Sequence, residues 1–123
     1  MKVFLRFDEE LNSLQLTNWQ KNILSYITCR NSQIINLNSK EENRGYENTL
    51  NLIKSCDICI IIMNKPDFTK GFYIAYALSK QKQTLVFSQK KMQFLRECTS
   101  PFLHTYQFKN VKSIKKTLSL YKL

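Results

Sequence analysis

The sequence contains little of what marks several common classes of protein. It has two glycines, two prolines and one histidine in 123 residues. No P-loop, Ser-His-Asp arrangement or metal-ligand cluster is visible in it. No apolar run approaches the ~20 residues that a transmembrane helix needs, and the first residues lack the apolar core and cleavage site of a signal peptide. We therefore expect a cytoplasmic or organelle-interior protein with no membrane partner, no metal and no cofactor.

Four cysteines are present, and two of them form a Cys56-x-x-Cys59 pair. Zinc ribbons need two such pairs, and Cys29 and Cys98 stand alone. Because residues three apart on a strand point to opposite faces, Cys56 and Cys59 are expected to diverge. We interpret the cysteines as reduced thiols rather than as metal ligands or a redox pair.

Charge is distributed unevenly along the chain. Residues 1–61 hold seven Lys and Arg and seven Asp and Glu, whereas residues 62–123 hold twelve and two, so the formal charge of +10 lies in the second half. This excess favours a polyanionic partner such as RNA or a ribonucleoprotein. A coding bias toward Asn, Lys and Ile would produce the same excess without a function. The residues predicted to contact a polyanion are Lys90, Lys91, Arg96, Lys112, Lys115 and Lys116.

The pattern of apolar residues predicts five strands alternating with helices. The strands are predicted over residues 2–7, 32–37, 57–63, 84–88 and 103–108. Helices are predicted over residues 18–30, 45–55, 68–80 and 111–121, with a helix or turn over residues 89–98. Short βα units of this kind form a parallel sheet with helices on both faces. We expect one α/β domain over residues 1–123, flavodoxin-like or Rossmann-like, with strand order 2-1-3-4-5.

The central unit is residues 55–88. A continuous apolar run at residues 57–63 fits a strand buried on both faces, and residues 64–67 are typical of a turn. The helix that follows carries Phe72, Ala75, Tyr76 and Ser79 at helical spacing, with Ile74 and Leu78 beside them, which predicts its inward stripe. Ligands in open α/β sheets bind beyond the carboxyl ends of the strands. The predicted ligand site is therefore at residues 64–73.

Two segments of this unit resemble the nucleoside 2-deoxyribosyltransferase superfamily. Ser55-Cys56-Asp57 resembles a segment of that family in which an aspartate begins a strand. Residues 71–78, Gly-Phe-Tyr-Ile-Ala-Tyr-Ala-Leu, are similar to its Gly-x-Glu-Ile-Gly-Tyr-Ala-x segment. The resemblance implies a fold that binds nucleosides or nucleotides and acts on their N-glycosidic bond. Because members of the family commonly assemble, it also implies a homodimer.

The sequence departs from the family at two places that matter for chemistry. The family's nucleophile is the Glu of that segment, where this chain has Tyr73, and its first loop is usually small and contains glycine, where this chain has residues 6–10, Arg-Phe-Asp-Glu-Glu. Tyr73 has three interpretations: it fills the volume of the Glu, it stacks on a base or ribose, or it is a nucleophile assisted by a carboxylate. The carboxylates that N-glycosidic cleavage could use are Asp8, Glu9 and Asp67.

At the switch point of the predicted strand order, the first and third strands end side by side. Lys65, Lys70 and the N–H groups at the helix start would form an anion site there, suited to a nucleotide phosphate. Alternatively, Asp67 or Thr69 caps the helix. The ligand-binding residues predicted for the site are Phe7, Asn38, Asn64, Lys65, Lys70 and Gly71.

Three functions stay open at this point. The first is a nucleoside- or nucleotide-binding domain with reduced or lost N-glycosidic-bond chemistry, with Asp8, Asp67 and Tyr73 as the candidate catalytic positions. The second is a non-enzymatic basic protein that binds RNA or a ribonucleoprotein. The third is an active nucleoside N-glycosidase or deoxyribosyltransferase with a relocated carboxylate. His104 lies on the last predicted strand, away from the expected site.

Overall fold

The computed structural model describes residues 1–7, 18–29, 33–36 and 46–121. Its strands are β1 (Lys2–Arg6), β2 (Gln33–Asn36), β3 (Ile58–Ile62), β4 (Gln83–Ser88) and β5 (Leu103–Gln107). Its helices are α1 (Asn18–Thr28), α2 (Tyr46–Ser55), α3 (Phe68–Ser79), α4 (Gln93–Arg96) and α5 (Val111–Ser119). Strands and helices alternate along the chain, as the apolar pattern predicts.

The five strands form one sheet with the order β2-β1-β3-β4-β5. Every neighbouring pair is parallel. In the central strand β3, Ile60 pairs with Leu5 of β1 on one side and with Leu85 of β4 on the other. The predicted α/β fold and its strand order are therefore confirmed, and the switch point lies between β1 and β3.

The sheet has an apolar core on each face. The first cluster includes Leu5 and Ile60 and lies under α1 and α5. The second includes Phe4 and Ile61 and lies under α2, α3 and α4. Successive side chains of a strand point to opposite faces, so consecutive residues of β3 alternate between the two clusters. All five residues of β3 are buried, as expected for a central strand with helices on both faces.

The buried face of α3 differs from the predicted one. Its buried residues are Lys70, Tyr73, Ile74 and Ala77, whereas Phe72 of the predicted stripe is 43% exposed. The predicted stripe is offset from the buried face, because apolar spacing alone gives no reason to place a lysine on that face. An ion pair with Asp67 allows Lys70 to be buried, since a buried charge must have a partner.

Residues 89–98, predicted as a helix or a turn, contain α4, which is a single helical turn. The residues before it form a loop that is held by the neighbouring strand ends. The backbone N–H of Gln89 donates to Asn64 Oδ1 at 2.9 Å, and Gln107 Nε2 donates to the carbonyl oxygen of Gln89 at 3.0 Å. These hydrogen bonds fix the loop in a conformation that a helix would not allow.

The cysteine pair also differs from its prediction. Cys56 and Cys59 both lie in the second cluster, because Cys56 precedes β3 and the alternation of the strand does not extend to it. Burial, and secondarily the neighbouring Cys56, raises the pKa of the Cys59 thiol well above its usual range. Among the described residues, no group of three or more His, Cys, Asp or Glu is placed to hold a metal ion.

The amino edge of the sheet is closed by Asp57. Its carboxylate accepts a hydrogen bond from the backbone N–H of Lys2 at 2.6 Å, and its own N–H donates to the carbonyl oxygen of Lys2 at 2.8 Å. The aspartate of the family-like Ser-Cys-Asp segment therefore joins β1 to the start of β3, at the end of the sheet opposite the switch-point site. No helix in the described ranges has the length and apolarity needed to cross a membrane.

Candidate functional site

Buried polar side chains collect at the carboxyl edge beside the switch point. Arg6 ends β1, Thr49 is in the first turn of α2, and Lys70 is in the first turn of α3; none is more than 3% exposed. Arg6 follows Phe4 by two positions, which places it on the face that α2 and α3 cover. We call these three residues the polar cluster. Because open α/β sheets bind ligands at this edge, beside the switch point, the polar cluster marks a candidate binding site.

Arg6 and Thr49 were not among the predicted site residues. The sequence signal for Arg6 is a cation that directly follows the apolar run of residues 3–5 in the strand KVFLR. Thr49 has no such signal, because a threonine in an amphipathic helix is usually exposed. Thr49 Oγ1 has no hydrogen-bond partner among the described residues.

The Asp67 carboxylate sits at the amino end of α3. Its Oδ1 accepts from the backbone N–H groups of Thr69 at 2.8 Å and Lys70 at 3.3 Å, and its Oδ2 accepts from Lys70 Nζ at 3.0 Å. Burial alone would raise the pKa of Asp67, but the Lys70 ammonium and the two N–H groups outweigh burial and lower it. The carboxylate thus takes the place that the predicted anion would occupy at Lys70.

Tyr73, at the position of the family's nucleophilic Glu, has no exposed surface. Its ring meets Phe4 of β1 edge-on, with the centroids 6.3 Å apart, and it belongs to the second core cluster. This placement is the one expected if Tyr73 fills the volume of the Glu. The Tyr73 ring is therefore part of the apolar core on this face of the sheet.

The remaining predicted site residues fall in three places. Phe7 lies in the first core cluster, where its ring meets Trp19 edge-on at 5.5 Å. Asn64 and Lys65 lie in the β3–α3 loop, and Gly71 is in α3. Asp8, Glu9 and Asn38 lie outside the described residues. The roles predicted for Asp8, Glu9 and Asn38 therefore stay predictions.

An aromatic groove lies on the outer side of α3. It is lined by Pro66, Asp67, Phe68, Gly71 and Phe72 and has a volume of about 460 Å³. Phe68 is 90% exposed. A Cβ added at Gly71 would meet no atom within 4 Å, so the floor of the groove is open there.

A basic cleft of about 530 Å³ lies between the β3–α3 and β4–α4 loops. It is lined by Asn64, Lys65, Pro66, Lys90, Lys91, Met92 and Gln93. A smaller cleft of about 250 Å³, the outer cleft, runs on between α4 and β5. Its lining includes Ser88, Lys91, Met92, Arg96 and Gln107.

The six residues predicted to bind a polyanion do not form one surface. Lys90, Lys91 and Arg96 lie at the carboxyl edge, beside the second core cluster. Lys112, Lys115 and Lys116 are on α5, which covers the other face of the sheet. Lys115 is engaged there, because its ammonium donates to Asn22 Oδ1 and lies 5.7 Å from the Tyr26 ring centroid.

His104 lies on β5, away from the polar cluster. Its Nε2 is 2.9 Å from Gln83 Oε1, at the amino end of β4, and its ring packs against Tyr121 with the centroids 5.7 Å apart. These contacts join the last two strands to the segment after α5, so His104 makes packing and hydrogen-bond contacts within the fold.

Neither known protein-family models nor curated protein sequences match the chain. Solved structures do. The CMP N-glycosidase BcmB from Clostridium botulinum superposes with a TM-score of 0.73 at 14% identity, covering 97% of this chain and 99% of that one. A 2-deoxyribosyltransferase from Bacillus psychrosaccharolyticus superposes with a TM-score of 0.60 at 15% identity, covering 94% and 90%. The chain therefore has a nucleoside 2-deoxyribosyltransferase-like fold.

Proposed function

We propose that this chain is a nucleoside- or nucleotide-binding domain in which N-glycosidic-bond chemistry is reduced or lost. The fold supports the class of ligand, since the two solved structures named above are of enzymes whose names refer to nucleoside or nucleotide chemistry. The observation that carries the loss of chemistry is the position of Tyr73. A phenol buried in the core replaces the carboxylate that cleavage requires on one face of the sugar.

The polar cluster supports ligand binding at the switch point. Arg6 supplies a cationic side chain there, and the Thr49 hydroxyl is buried without a partner among the described residues. An unsatisfied buried hydroxyl costs about 1–3 kcal/mol. A ligand that hydrogen-bonds Thr49 would remove that cost, which favours a polar ligand such as a nucleoside sugar or phosphate.

Base release and binding, measured together, test the proposal. The purified protein is titrated calorimetrically with a panel of nucleosides, deoxynucleosides and their monophosphates, and the same mixtures are assayed for free base by chromatography. We expect binding of at least one compound and no release of base. Release by the wild type that Tyr73→Phe abolishes would assign Tyr73 as a nucleophile and overturn the proposal.

Thr49→Val tests the location of the site. Because valine has the shape of threonine without its hydroxyl, removing an unsatisfied group should leave the fold as stable or more stable. Ligand binding should weaken, since the hydroxyl is lost. Thr84→Val is the matched control, because Thr84 is equally buried but already donates to the carbonyl oxygen of Lys82 at 2.9 Å. Weaker binding in both variants would argue against a site at Thr49.

The active-enzyme alternative depends on Asp8, Glu9 or Asp67 acting as a relocated carboxylate. Asp8→Asn, Glu9→Gln and Asp67→Asn should then remove base release singly or together. Asp67 is the weakest of the three for this role, because its carboxylate already caps α3 and pairs with Lys70. Loss of release in Asp8→Asn alone would make the protein an enzyme with a relocated carboxylate.

RNA or ribonucleoprotein binding is the second candidate function. The observation that favours it is the setting of Lys90, Lys91 and Arg96. All three are exposed around two adjoining clefts. Unlike Lys70, none of them forms an ion pair among the described residues. Exposed cations beside a cleft suit a phosphate backbone.

A further inference from the structure

The aromatic groove, the basic cleft and the outer cleft are contiguous. Pro66 lines both the aromatic groove and the basic cleft. Lys91 and Met92 line both the basic cleft and the outer cleft. Together the three depressions form one surface along the carboxyl edge, from α3 to the end of β5. Each of the two larger ones is about the size of a pocket for one small ligand, so the whole surface exceeds a single mononucleotide.

The groove at the α3 end has the chemistry of a stacking site. Phe68 is 90% exposed and Phe72 is 43% exposed, which is unusual for large apolar side chains. Gly71 lies between them in sequence, and the fold does not require a glycine there, because a Cβ would meet nothing within 4 Å. A glycine within a helix makes that helix less stable than an alanine would. The chain thus keeps an open groove between two aromatic rings at a cost in stability.

The rest of the surface is positively charged. Lys90, Lys91 and Arg96 are exposed along it. Among the described residues, Asp67 is the only carboxylate that lines any of the three depressions, and Lys70 neutralises it. A phosphate chain that follows the three depressions would therefore meet cations at successive positions.

The loop that carries the two lysines is held in place. Gln89 is bound by Asn64 on one side and by Gln107 on the other, and Ser88 Oγ donates to the carbonyl oxygen of Lys90 at 2.5 Å. The loop is thus fixed to the ends of β3, β4 and β5 before any ligand binds. Preorganisation of this kind lowers the entropy that binding would otherwise cost.

We infer that this edge is a binding track for single-stranded nucleic acid. One base stacks on Phe68 and Phe72, and the phosphates that follow run along Lys90, Lys91 and Arg96. Aromatic platforms beside a basic groove are the usual means of binding single strands. The inference rests on the second candidate function, RNA binding through the exposed cations, and it uses a surface separate from the polar cluster.

Fluorescence anisotropy of labelled single strands of about ten nucleotides, oligouridine and oligodeoxythymidine, tests the track. We expect both to bind, with an affinity that falls as salt rises. Lys90→Gln/Lys91→Gln should weaken binding about tenfold or more at about 50 mM salt and flatten the salt slope by about 1.4. The control Lys112→Gln/Lys116→Gln removes the same charge from the other face of the sheet, and should change affinity by less than about twofold.

Phe68→Ala tests the stacking end of the track. It should weaken strand binding about fivefold or more, and the fold should tolerate it because the ring is exposed. Leu120→Ala is the control, since Leu120 is 76% exposed and lies just after α5. Equal losses from both lysine pairs, or no loss in Phe68→Ala, would show general polyanion attraction and overturn the track.

A mononucleotide titration separates this inference from the proposed function. If mononucleotides bind and neither strand does at low salt, the track is wrong and the proposed function stands. Strand binding without mononucleotide binding would leave the track and remove the switch-point site. If neither ligand binds, both fail.

Discussion

Two basic regions share the carboxyl edge of the sheet and differ in where their cations lie. At the switch point, Arg6 and Lys70 are inside the fold, and Lys70 is paired with Asp67. Along the edge from β3 to β5, Lys90, Lys91 and Arg96 are outside it. Burying a cation costs free energy unless its partner is present, so losing either member of a buried pair lowers the stability of the fold. An exposed cation adds little to stability and is available to a partner. Substitutions should therefore affect stability in the first region and binding in the second.

The largest effect is expected from removing the charge of Asp67. Asp67→Asn keeps an oxygen that can cap α3, but it leaves the Lys70 ammonium buried without a negative partner. Loss of one member of a buried pair destabilises by about 3 kcal/mol. Urea unfolding of the variant and the wild type measures the difference.

Lys70→Met is the control for this effect. It replaces the cation with an apolar side chain of similar length and leaves the Asp67 cap in place, so stability should change by less than about 1 kcal/mol. The double variant Asp67→Asn/Lys70→Met should recover most of what Asp67→Asn loses. If Asp67→Asn is as stable as the wild type, the ion pair does not contribute to folding.

Acid should weaken the same ion pair gradually. The pKa of Asp67 is lower in the folded state than its ordinary value of 3.8. A carboxyl of this kind contributes stability above its unfolded pKa, and that contribution is lost as pH falls through its folded pKa. The stability gap between wild type and Asp67→Asn should therefore be constant near neutral pH and shrink below about pH 4. A gap that grows on acidification would contradict the assigned sign.

Comparing α5 with α3 explains what the sequence could reveal. In α5 the buried residues Ile114 and Leu118 are four positions apart, as expected for one apolar face of a helix. In α3 the stripe was misplaced, because the buried face includes Lys70 and the exposed face includes Phe68 and Phe72. Apolar periodicity identifies a core face only where the face is apolar. It fails where an ion pair or an exposed aromatic reverses the rule, and in this chain both occur beside the candidate site.

The sheet could be predicted more fully than the site. Apolar runs separated by helices indicate a parallel sheet, and the order 2-1-3-4-5 is one of the two orders that such sheets commonly have. Which polar residues converge at its edge depends on tertiary contacts that no local pattern encodes. Thr49 is an example, since nothing near it in sequence distinguishes it from an exposed helical threonine. The constrained loop at Gln89 is another, because its partners Asn64 and Gln107 are distant in sequence.

Gly71 lies where the two regions meet, and its substitution should stabilise the protein. Gly71→Ala restricts the unfolded chain and favours the helix by about 0.5–1 kcal/mol, and the added methyl group meets no neighbour within 4 Å. Thermal unfolding should show a higher midpoint than the wild type. Gly71→Leu should keep most of the gain and fill the aromatic groove. A loss of stability in Gly71→Ala would mean that the glycine serves the fold rather than a ligand.

The smallest effect on stability is expected at the exposed lysines, where the comparison is sharpest. Lys90→Gln/Lys91→Gln should change the free energy of unfolding by less than about 0.5 kcal/mol, because neither side chain is buried or paired among the described residues. Urea unfolding at the same salt concentration as for Asp67→Asn allows direct comparison. The two variants remove charges of opposite sign, and their effects on stability should still differ several-fold because only one charge is held in a buried pair. If Lys90→Gln/Lys91→Gln destabilises the protein as much as Asp67→Asn does, both regions contribute to folding. The exposure of these lysines would then no longer argue for a binding partner.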